Sequence, residues 1–150
     1  MMDDPVAVAR RYDNAFNSKD ADARRRLLSD EAKVMLPGGV VVSDADAIVE
    51  LAQTFWEALP DGVISSEFVL AGADAVVTEG TLTGMHTGTF RGPAGEVPAS
   101  GNRVSFRYVS IKWVRDDRIV AEHLYFDQLE FLMQIGAMPA TEVGSPASAR

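Results

Sequence analysis

The sequence predicts an α+β fold in which N-terminal helices pack on one face of a curved antiparallel sheet. Two observations support this expectation. Up to residue 59 apolar residues recur at helical spacing, whereas residues 66–126 are rich in β-branched and aromatic residues separated by short turns. Helices that precede a run of strands, instead of alternating with them, are typical of an α+β domain.

Three helical stretches are expected between residues 5 and 59. Asp3 or Asp4 can cap the first, with Pro5 at its first position, and a second start signal follows this helix directly. Ser43 is expected to cap the third helix, which carries a broad apolar stripe. Before that helix, the segment KVMLPGGVVV is expected to form two minor strands, and the preceding Leu-Leu pair to be helical.

The remaining chain is expected to form four long strands, as an antiparallel meander, and one short helix. Residues 91–101 are rich in proline and glycine, so we expect a long hairpin loop outside the sheet and a candidate pocket rim. Residues 139–150 are small and polar and are expected to be disordered. The predicted folded domain therefore covers residues 1–138.

Composition and charge exclude several classes of function. The net charge of -8 and the pI of about 4.7 disfavour nucleic acid and anionic membrane surfaces as partners. The absence of cysteine excludes disulfides, thiolate metal sites and cysteine nucleophiles. No long apolar run or signal-like N-terminus occurs, so a cytoplasmic protein is expected. The one basic run, Arg24 to Arg26, is expected to be a solvated helix face without function.

His86 and Asp127 are the candidate catalytic residues. Glycines on the strand face of His86 leave space beside its ring, and Asp127 shares a face of the last strand with His123 and Tyr125. A carboxylate and an imidazole in an apolar cavity can act as an acid and base pair. The alternatives are a half-solvated strand histidine and an aspartate that caps the helix beginning at Gln128. The opposite face of the last strand carries Glu122, Leu124 and Phe126.

The candidate ligand contacts are aromatic or polar residues near the predicted pocket: Tyr12, Phe16, Trp56, His123 and Tyr125. Aromatic residues on helices are more often core residues than ligand contacts, although the Tyr12 hydroxyl could reach a pocket. We expect neither a metal nor another cofactor. The two histidines lie in separate strands with no ligand motif around them, and no glycine-rich phosphate loop is present.

Two segments, EGTLTGMHTGTF and NRVSFRYVSIKWVRDDRIVAEHLYFDQLEFLMQIG, resemble the SnoaL-like polyketide (ester) cyclase family of the nuclear transport factor 2-like superfamily, over about residues 5 to 138. The resemblance implies a cone-shaped α+β barrel, a homodimer through the sheet, and a cofactor-free intramolecular aldol ring closure with an aspartate as acid and base. By position, Asp127 looks like that aspartate and His86 like a pocket histidine. Leu124 stands where many relatives carry tryptophan.

We therefore expect a cofactor-independent acid/base catalyst of aldol-type ring closure or isomerisation, acting on a small activated carbonyl compound. In this interpretation Asp127 removes a proton, and His86 or Tyr12 stabilises the enolate oxygen. Two alternatives stay open: a non-catalytic protein that binds a small apolar or polyketide-like molecule, and an epoxide-hydrolase-like enzyme in which Asp127 activates water.

Overall fold

A computed structural model describes residues 4–93 and 95–138, and the predicted disorder of residues 139–150 lies outside these ranges. Helices and strands follow in the order that the sequence predicts. The helices are α1 (Pro5–Asn17), α2 (Ala21–Leu27), α3 (Ala45–Ala58) and α4 (Gln128–Gln134). The strands are β1 (Leu28–Leu36), β2 (Val40–Ser43), β3 (Val63–Ala71), β4 (Ala75–Met85), β5 (Phe90–Gly92), β6 (Gly95–Val97), β7 (Arg103–Arg115) and β8 (Arg118–Phe126).

Six strands form the main sheet, in the order β2-β1-β8-β7-β4-β3. The four long strands β3, β4, β7 and β8 are the predicted antiparallel meander. The expected minor strands are β1 and β2, which extend this sheet, and β1 runs parallel to β8 with Val34 opposite Glu122. Leu28 is the first residue of β1, so the prediction that it is helical was wrong. The proline- and glycine-rich segment contributes the hairpin β5–β6, which is separate from the main sheet.

Aspartates determine where the helices begin. Asp4 caps α1, accepting a hydrogen bond from the Val6 backbone at 3.1 Å, and Pro5 occupies the first turn as predicted. Asp44 caps α3, one residue after the predicted Ser43, and accepts from the Ala47 backbone at 2.8 Å. A short acidic side chain at this position satisfies a backbone N–H that the helix leaves unpaired.

The side-chain alternation of β7 and β8 decides which residues face the helices. In β7 the even-numbered residues from Val104 to Val114 are buried, whereas Arg103 and Arg115 are exposed. The register of β8 shifts between Ile119 and Ala121, and beyond this bulge Glu122 lies opposite Lys112. The bulge lies before His123, so the predicted division of the later β8 residues between the two faces of the strand is confirmed. The inward residues are Glu122, Leu124 and Phe126, and the outward residues are His123 and Tyr125.

Helix α1 is fastened to the edge strand β3 by one side chain. The Asn17 amide donates to the Ile64 carbonyl at 2.9 Å and accepts from the Ile64 N–H at 2.8 Å. This pair satisfies both backbone groups of an edge position that would otherwise face water.

Helix α4 packs its Phe131 ring against those of Phe55, Phe90 and Phe106, with centroid separations of 5.7, 5.1 and 5.4 Å. Among the described helices, none has the length and apolar character needed to span a membrane.

Candidate functional site

A cavity of about 90 Å³ lies between the inward face of the sheet and the helices. Its apolar wall comes from α1, α3 and the strands, and includes Phe16, Ala52, Phe55, Leu82, Phe106 and Leu124. The volume is small compared with the roughly 300–1,000 Å³ of usual ligand pockets, so the cavity fits a small molecule or the reacting part of a larger one. Its polar lining residues are Tyr12, Asp13, Arg24, Tyr108, Ser110, Lys112 and Glu122.

Lys112 is the centre of the polar part of the cavity. Its side chain is only 3% exposed, and its ammonium lies 3.3 Å from Asp13 Oδ1 and 3.4 Å from Glu122 Oε2. The same Nζ donates to Ser110 Oγ at 2.8 Å, and that hydroxyl donates to Glu122 Oε2 at 2.6 Å. A buried lysine flanked by two carboxylates and a hydroxyl is therefore held as a charged, hydrogen-bonded network.

The network sets the protonation states of its members. Burial alone would lower the pKa of Lys112, but the Asp13 and Glu122 carboxylates raise that pKa above its ordinary value. Burial alone would raise the pKa of Glu122, but the Lys112 charge and the Ser110 hydrogen bond hold that pKa below its ordinary value. At neutral pH Lys112 is an ammonium ion, and Glu122 is a carboxylate.

Arg24 corrects the prediction made for the basic run. Arg25 and Arg26 reach the surface, but Arg24 is only 8% exposed and lines the cavity. Its guanidinium carbon lies 3.6 Å from the centroid of the Tyr12 ring, and its Nη1 donates to the Tyr12 carbonyl at 3.1 Å. The expectation that this whole run is a solvated face was therefore wrong for Arg24.

Two tyrosine hydroxyls line the cavity without a hydrogen-bond partner. Tyr12 Oη and Tyr108 Oη are both buried and make no hydrogen bond of good geometry among the described residues, although the Ser66 side chain lies near enough to Tyr108 to oppose the effect of burial on its pKa. Burial raises the pKa of each to about 12, so both are protonated at neutral pH. A buried hydroxyl with no partner is costly, and a ligand oxygen would satisfy it.

Gly80 makes the room for Tyr108. A Cβ at position 80 would lie 2.6 Å from the Tyr108 hydroxyl and 2.4 Å from the Ser65 carbonyl. Because these separations are far below contact distance, only glycine permits the observed position of Tyr108 beside β3.

The structure does not bring Asp127 and His86 into this cavity. Asp127 is exposed and caps α4, accepting from the Glu130 N–H at 3.0 Å, as the alternative interpretation expected. His86 lies one residue beyond the end of β4, so the prediction that it stands within a strand was wrong, and it is fully buried instead of half-solvated. Its Nδ1 accepts from the Ser100 N–H at 3.1 Å. Its Nε2 has no partner among the described residues, and burial lowers its pKa.

The predicted ligand contacts divide between two faces of the molecule. Tyr12 and Phe16 line the cavity. Trp56 lies behind Phe16, with the ring centroids 5.8 Å apart, and is not part of the lining. His123 and Tyr125 face outward from the sheet, with His123 against Trp113 at 4.7 Å. The hairpin β5–β6, a candidate pocket rim, does not line the cavity either.

Sequence reasoning missed the charged residues of the cavity. A signal was nevertheless present in β7, where Ser110 and Lys112 share the alternating face of Phe106 and Tyr108. A lysine on an otherwise apolar strand face is unusual unless it has a partner. No comparable signal marks Asp13 or Arg24. For a metal ion, the described residues contain no group of three or more histidine, aspartate or glutamate side chains able to hold one.

Comparisons with known proteins agree with the fold of this chain. The family model of the SnoaL-like polyketide cyclase matches residues 6–135. No curated protein sequence matches the chain. Among solved structures, a candidate SnoaL-like polyketide cyclase from Jannaschia sp. CCS1 is 22% identical, with a TM-score of 0.79 over 90% of this chain and 93% of that chain.

Two Streptomyces structures are also similar. AclR, a candidate hydroxylase from Streptomyces galilaeus, is 26% identical and has a TM-score of 0.80 over 97% of this chain and 89% of that chain. IdmH, a candidate polyketide cyclase from Streptomyces antibioticus, is 26% identical and has a TM-score of 0.76 over 89% of this chain and 99% of that chain. These likenesses support a general catalytic or ligand-binding role for this chain.

Proposed function

This chain belongs to the SnoaL-like polyketide cyclase family, and from that premise we propose that its cavity binds a small, mainly apolar carbonyl compound and transfers protons on it without a cofactor. The reaction is an aldol-type ring closure or an isomerisation. The observation that carries the proposal is the meeting, in one apolar cavity, of a carboxylate and two unpartnered tyrosine hydroxyls.

Glu122 is the base in this proposal. Its contacts with Ser110 and Lys112 both use Oε2, so Oε1 is available to a ligand in the cavity. Oε1 removes a proton from the carbon next to the carbonyl group. The electron pair of the broken C–H bond stays on the substrate, which becomes an enolate. In a ring closure this carbon then bonds to a second carbonyl carbon, and the new alkoxide takes up the proton that Glu122 has removed, so that the carboxylate is restored.

The hydroxyls of Tyr12 and Tyr108 stabilise the enolate oxygen. Donors fixed in a dry cavity stabilise developing negative charge more effectively than water does, because they need no reorganisation. Lys112 remains an ammonium ion, so it acts through its charge and not as a nucleophile.

The lowered pKa of Glu122 limits the substrate. A carboxylate with a lowered pKa is ionised at neutral pH but is a weak base. The proton that it removes must therefore be acidic, as it is between two carbonyl groups.

A second candidate, a non-catalytic binding protein, is favoured by the same network. Because Lys112 and Ser110 both hold Oε2, Glu122 can serve to keep the lysine charged while a ligand occupies the apolar wall. In that case the tyrosine hydroxyls orient the ligand and no proton moves.

Deuterium exchange separates these functions. The exchange of the acidic protons of a β-keto ester into deuterated water is followed by NMR with wild type, Glu122→Gln and Asp127→Asn. We expect Glu122→Gln to lose the exchange while ligand affinity stays within about tenfold, since glutamine keeps the shape but cannot act as a base. Asp127→Asn should keep the exchange, because Asp127 lies outside the cavity.

Three other outcomes would change the assignment. Loss of exchange in Asp127→Asn but not in Glu122→Gln would restore the sequence-based choice of base. Binding without exchange above the buffer rate, in wild type, would leave the binding protein. Diol formation from an aryl epoxide, in the absence of exchange, would indicate the hydrolase.

A further inference from the structure

Arg24 is a buried arginine without an ion pair. It is only 8% exposed, and none of its contacts among the described residues is with a carboxylate. The nearby carboxylates Asp13 and Glu122 contact Lys112 instead. Burial of a charge without an ionic partner costs desolvation free energy. A role in binding a ligand would explain why the protein keeps an arginine at this position.

The surroundings of Arg24 indicate which partner it lacks. Its Nη1 is used by the Tyr12 carbonyl, whereas its Nε is buried and unpartnered. The guanidinium lies over the ring of Tyr12, whose hydroxyl is also unpartnered. Arg24 Nε and Tyr12 Oη therefore add two free hydrogen-bond donors to one wall of the cavity, and a donor pair that includes a cation fits an oxygen carrying negative charge.

We propose that Arg24 determines the specificity of the cavity: with the Tyr12 hydroxyl it binds the charged oxygen of an enolate, so that the protein selects acidic enols over carbonyl compounds that cannot ionise. This inference rests on the proposed function, whose reaction passes through an enolate. It names the ligand class as 1,3-dicarbonyl compounds and other acidic enols.

The charges of the cavity fit a delocalised anion. The charge of Lys112 is offset by direct contacts with Asp13 and Glu122, and that of Arg24 acts on Glu122 without contact, so the four charges sum to zero and the empty site has no net excess of positive charge for a compact, localised anion. An enolate spreads its charge over oxygen and carbon, and its apolar remainder suits the wall formed by Phe16 and its neighbours. A flat guanidinium that lies over an aromatic ring is matched to such a ligand.

The test compares two ligands that share a ring but differ in the ability to ionise, and the change of their affinity ratio in the Arg24 variants corrects for the one methyl group by which they also differ in size. One is a cyclic 1,3-diketone, supplied as its enolate, and the other is the methyl ether of its enol, which cannot ionise. Affinities are measured by calorimetry for wild type, Arg24→Met and Arg26→Met. Arg26 is the matched control because it is exposed on the same helix. Arg24→Gln serves as a second uncharged variant, and a thermal melt of each protein confirms folding.

Wild type and Arg26→Met should prefer the enolate by about tenfold or more, which corresponds to about 1.4 kcal/mol. Arg24→Met and Arg24→Gln should reduce that preference to about twofold or less. Equal affinities in wild type, or an undiminished preference in both Arg24 variants, would overturn the proposal. Deuterium exchange is scored separately: exchange without enolate preference defeats only the role of Arg24, and enolate preference without exchange defeats only the catalytic function.

Discussion

Replacement of Lys112 by methionine should be strongly destabilising, and the size of the effect follows from the buried network. At the observed separations of 3.3 and 3.4 Å, each attraction to Asp13 and Glu122 is worth about 5 kcal/mol at an effective dielectric constant of 20. Desolvation of the three ions offsets most of this in the wild type, but the variant retains two carboxylates without their cation. We expect a loss of about 3–5 kcal/mol in the free energy of unfolding, or about 6–20 °C in Tm.

The variant should also acquire a pH dependence of stability between pH 5 and 7 that these groups do not give the wild type. In the wild type the pKa of Glu122 is lowered from 4.5, so its contribution is present above that pH and is lost as the pH falls through the folded-state pKa. The raised pKa of Lys112 adds stability that is complete below pH 10.5 and is lost as the pH rises through its folded-state value. Between pH 5 and 8 these two groups leave the wild type nearly insensitive to pH.

Without Lys112, we expect burial to outweigh the remaining influences of the Ser110 hydrogen bond and the Arg24 charge on Glu122, and so to raise its pKa above 4.5. The folded state of Lys112→Met then binds a proton more tightly than the unfolded state, so the variant should gain stability as the pH falls from 7 towards 5. Urea unfolding followed by tryptophan fluorescence at several pH values measures both effects. Lys33→Met is the control, because Lys33 is exposed on β1 and its replacement should cost less than about 0.5 kcal/mol. A loss below about 1 kcal/mol for Lys112→Met, with a pH profile parallel to that of wild type, would refute this reasoning.

Three further predictions concern the frame around the cavity. Gly80→Ala should lower the free energy of unfolding, measured by urea titration, by about 1–3 kcal/mol, because the new Cβ collides with Tyr108 and the Ser65 carbonyl. The control Gly72→Ala has open space around its new Cβ and should be nearly neutral, so equal effects of the two substitutions would contradict the steric argument. Asn17→Ala should lower the free energy of unfolding by about 1–3 kcal/mol and speed hydrogen exchange at the Ile64 amide. An unchanged exchange rate would show that the two hydrogen bonds between Asn17 and Ile64 are dispensable. The outward face of the sheet carries Phe68 and Tyr125, which are 55% and 46% exposed, so we expect a homodimer through this face at tens of micromolar; light scattering should show Tyr125→Glu to be monomeric, and a monomeric wild type would end this proposal.

The fold could be predicted because its signals are local. Asp4, Pro5 and the apolar spacing define α1, and the long strands alternate regularly enough to predict their faces. The parallel pairing of β1 with β8 had no comparable signal, since it joins segments from opposite parts of the chain. It depends on how the strands stack in space, which the spacing of residues within one strand does not describe.

The site was harder to predict because it is assembled from distant elements. Alternation placed Glu122 and Asp127 on opposite faces of the last strand, but it could not say which face would be inward. His86 was a candidate catalytic residue because imidazole titrates near neutral pH, but it lies outside the cavity lining. Arg24 stood in a run of three arginines, and only the packing of α2 beside Tyr12 distinguishes it from Arg25 and Arg26.

The parallel pairing of β1 with β8 also constrains the order in which the protein can fold during synthesis. The edge of β1 that faces away from β2 has no partner until the last strand leaves the ribosome, so the nascent chain carries an unpaired strand edge for most of its length. Closing such a distant contact is slow, because the loop entropy is lost before the contact stabilises the chain. Lys112 likewise emerges before Glu122, and the interior that accommodates its charge exists only when β8 has docked between β1 and β7.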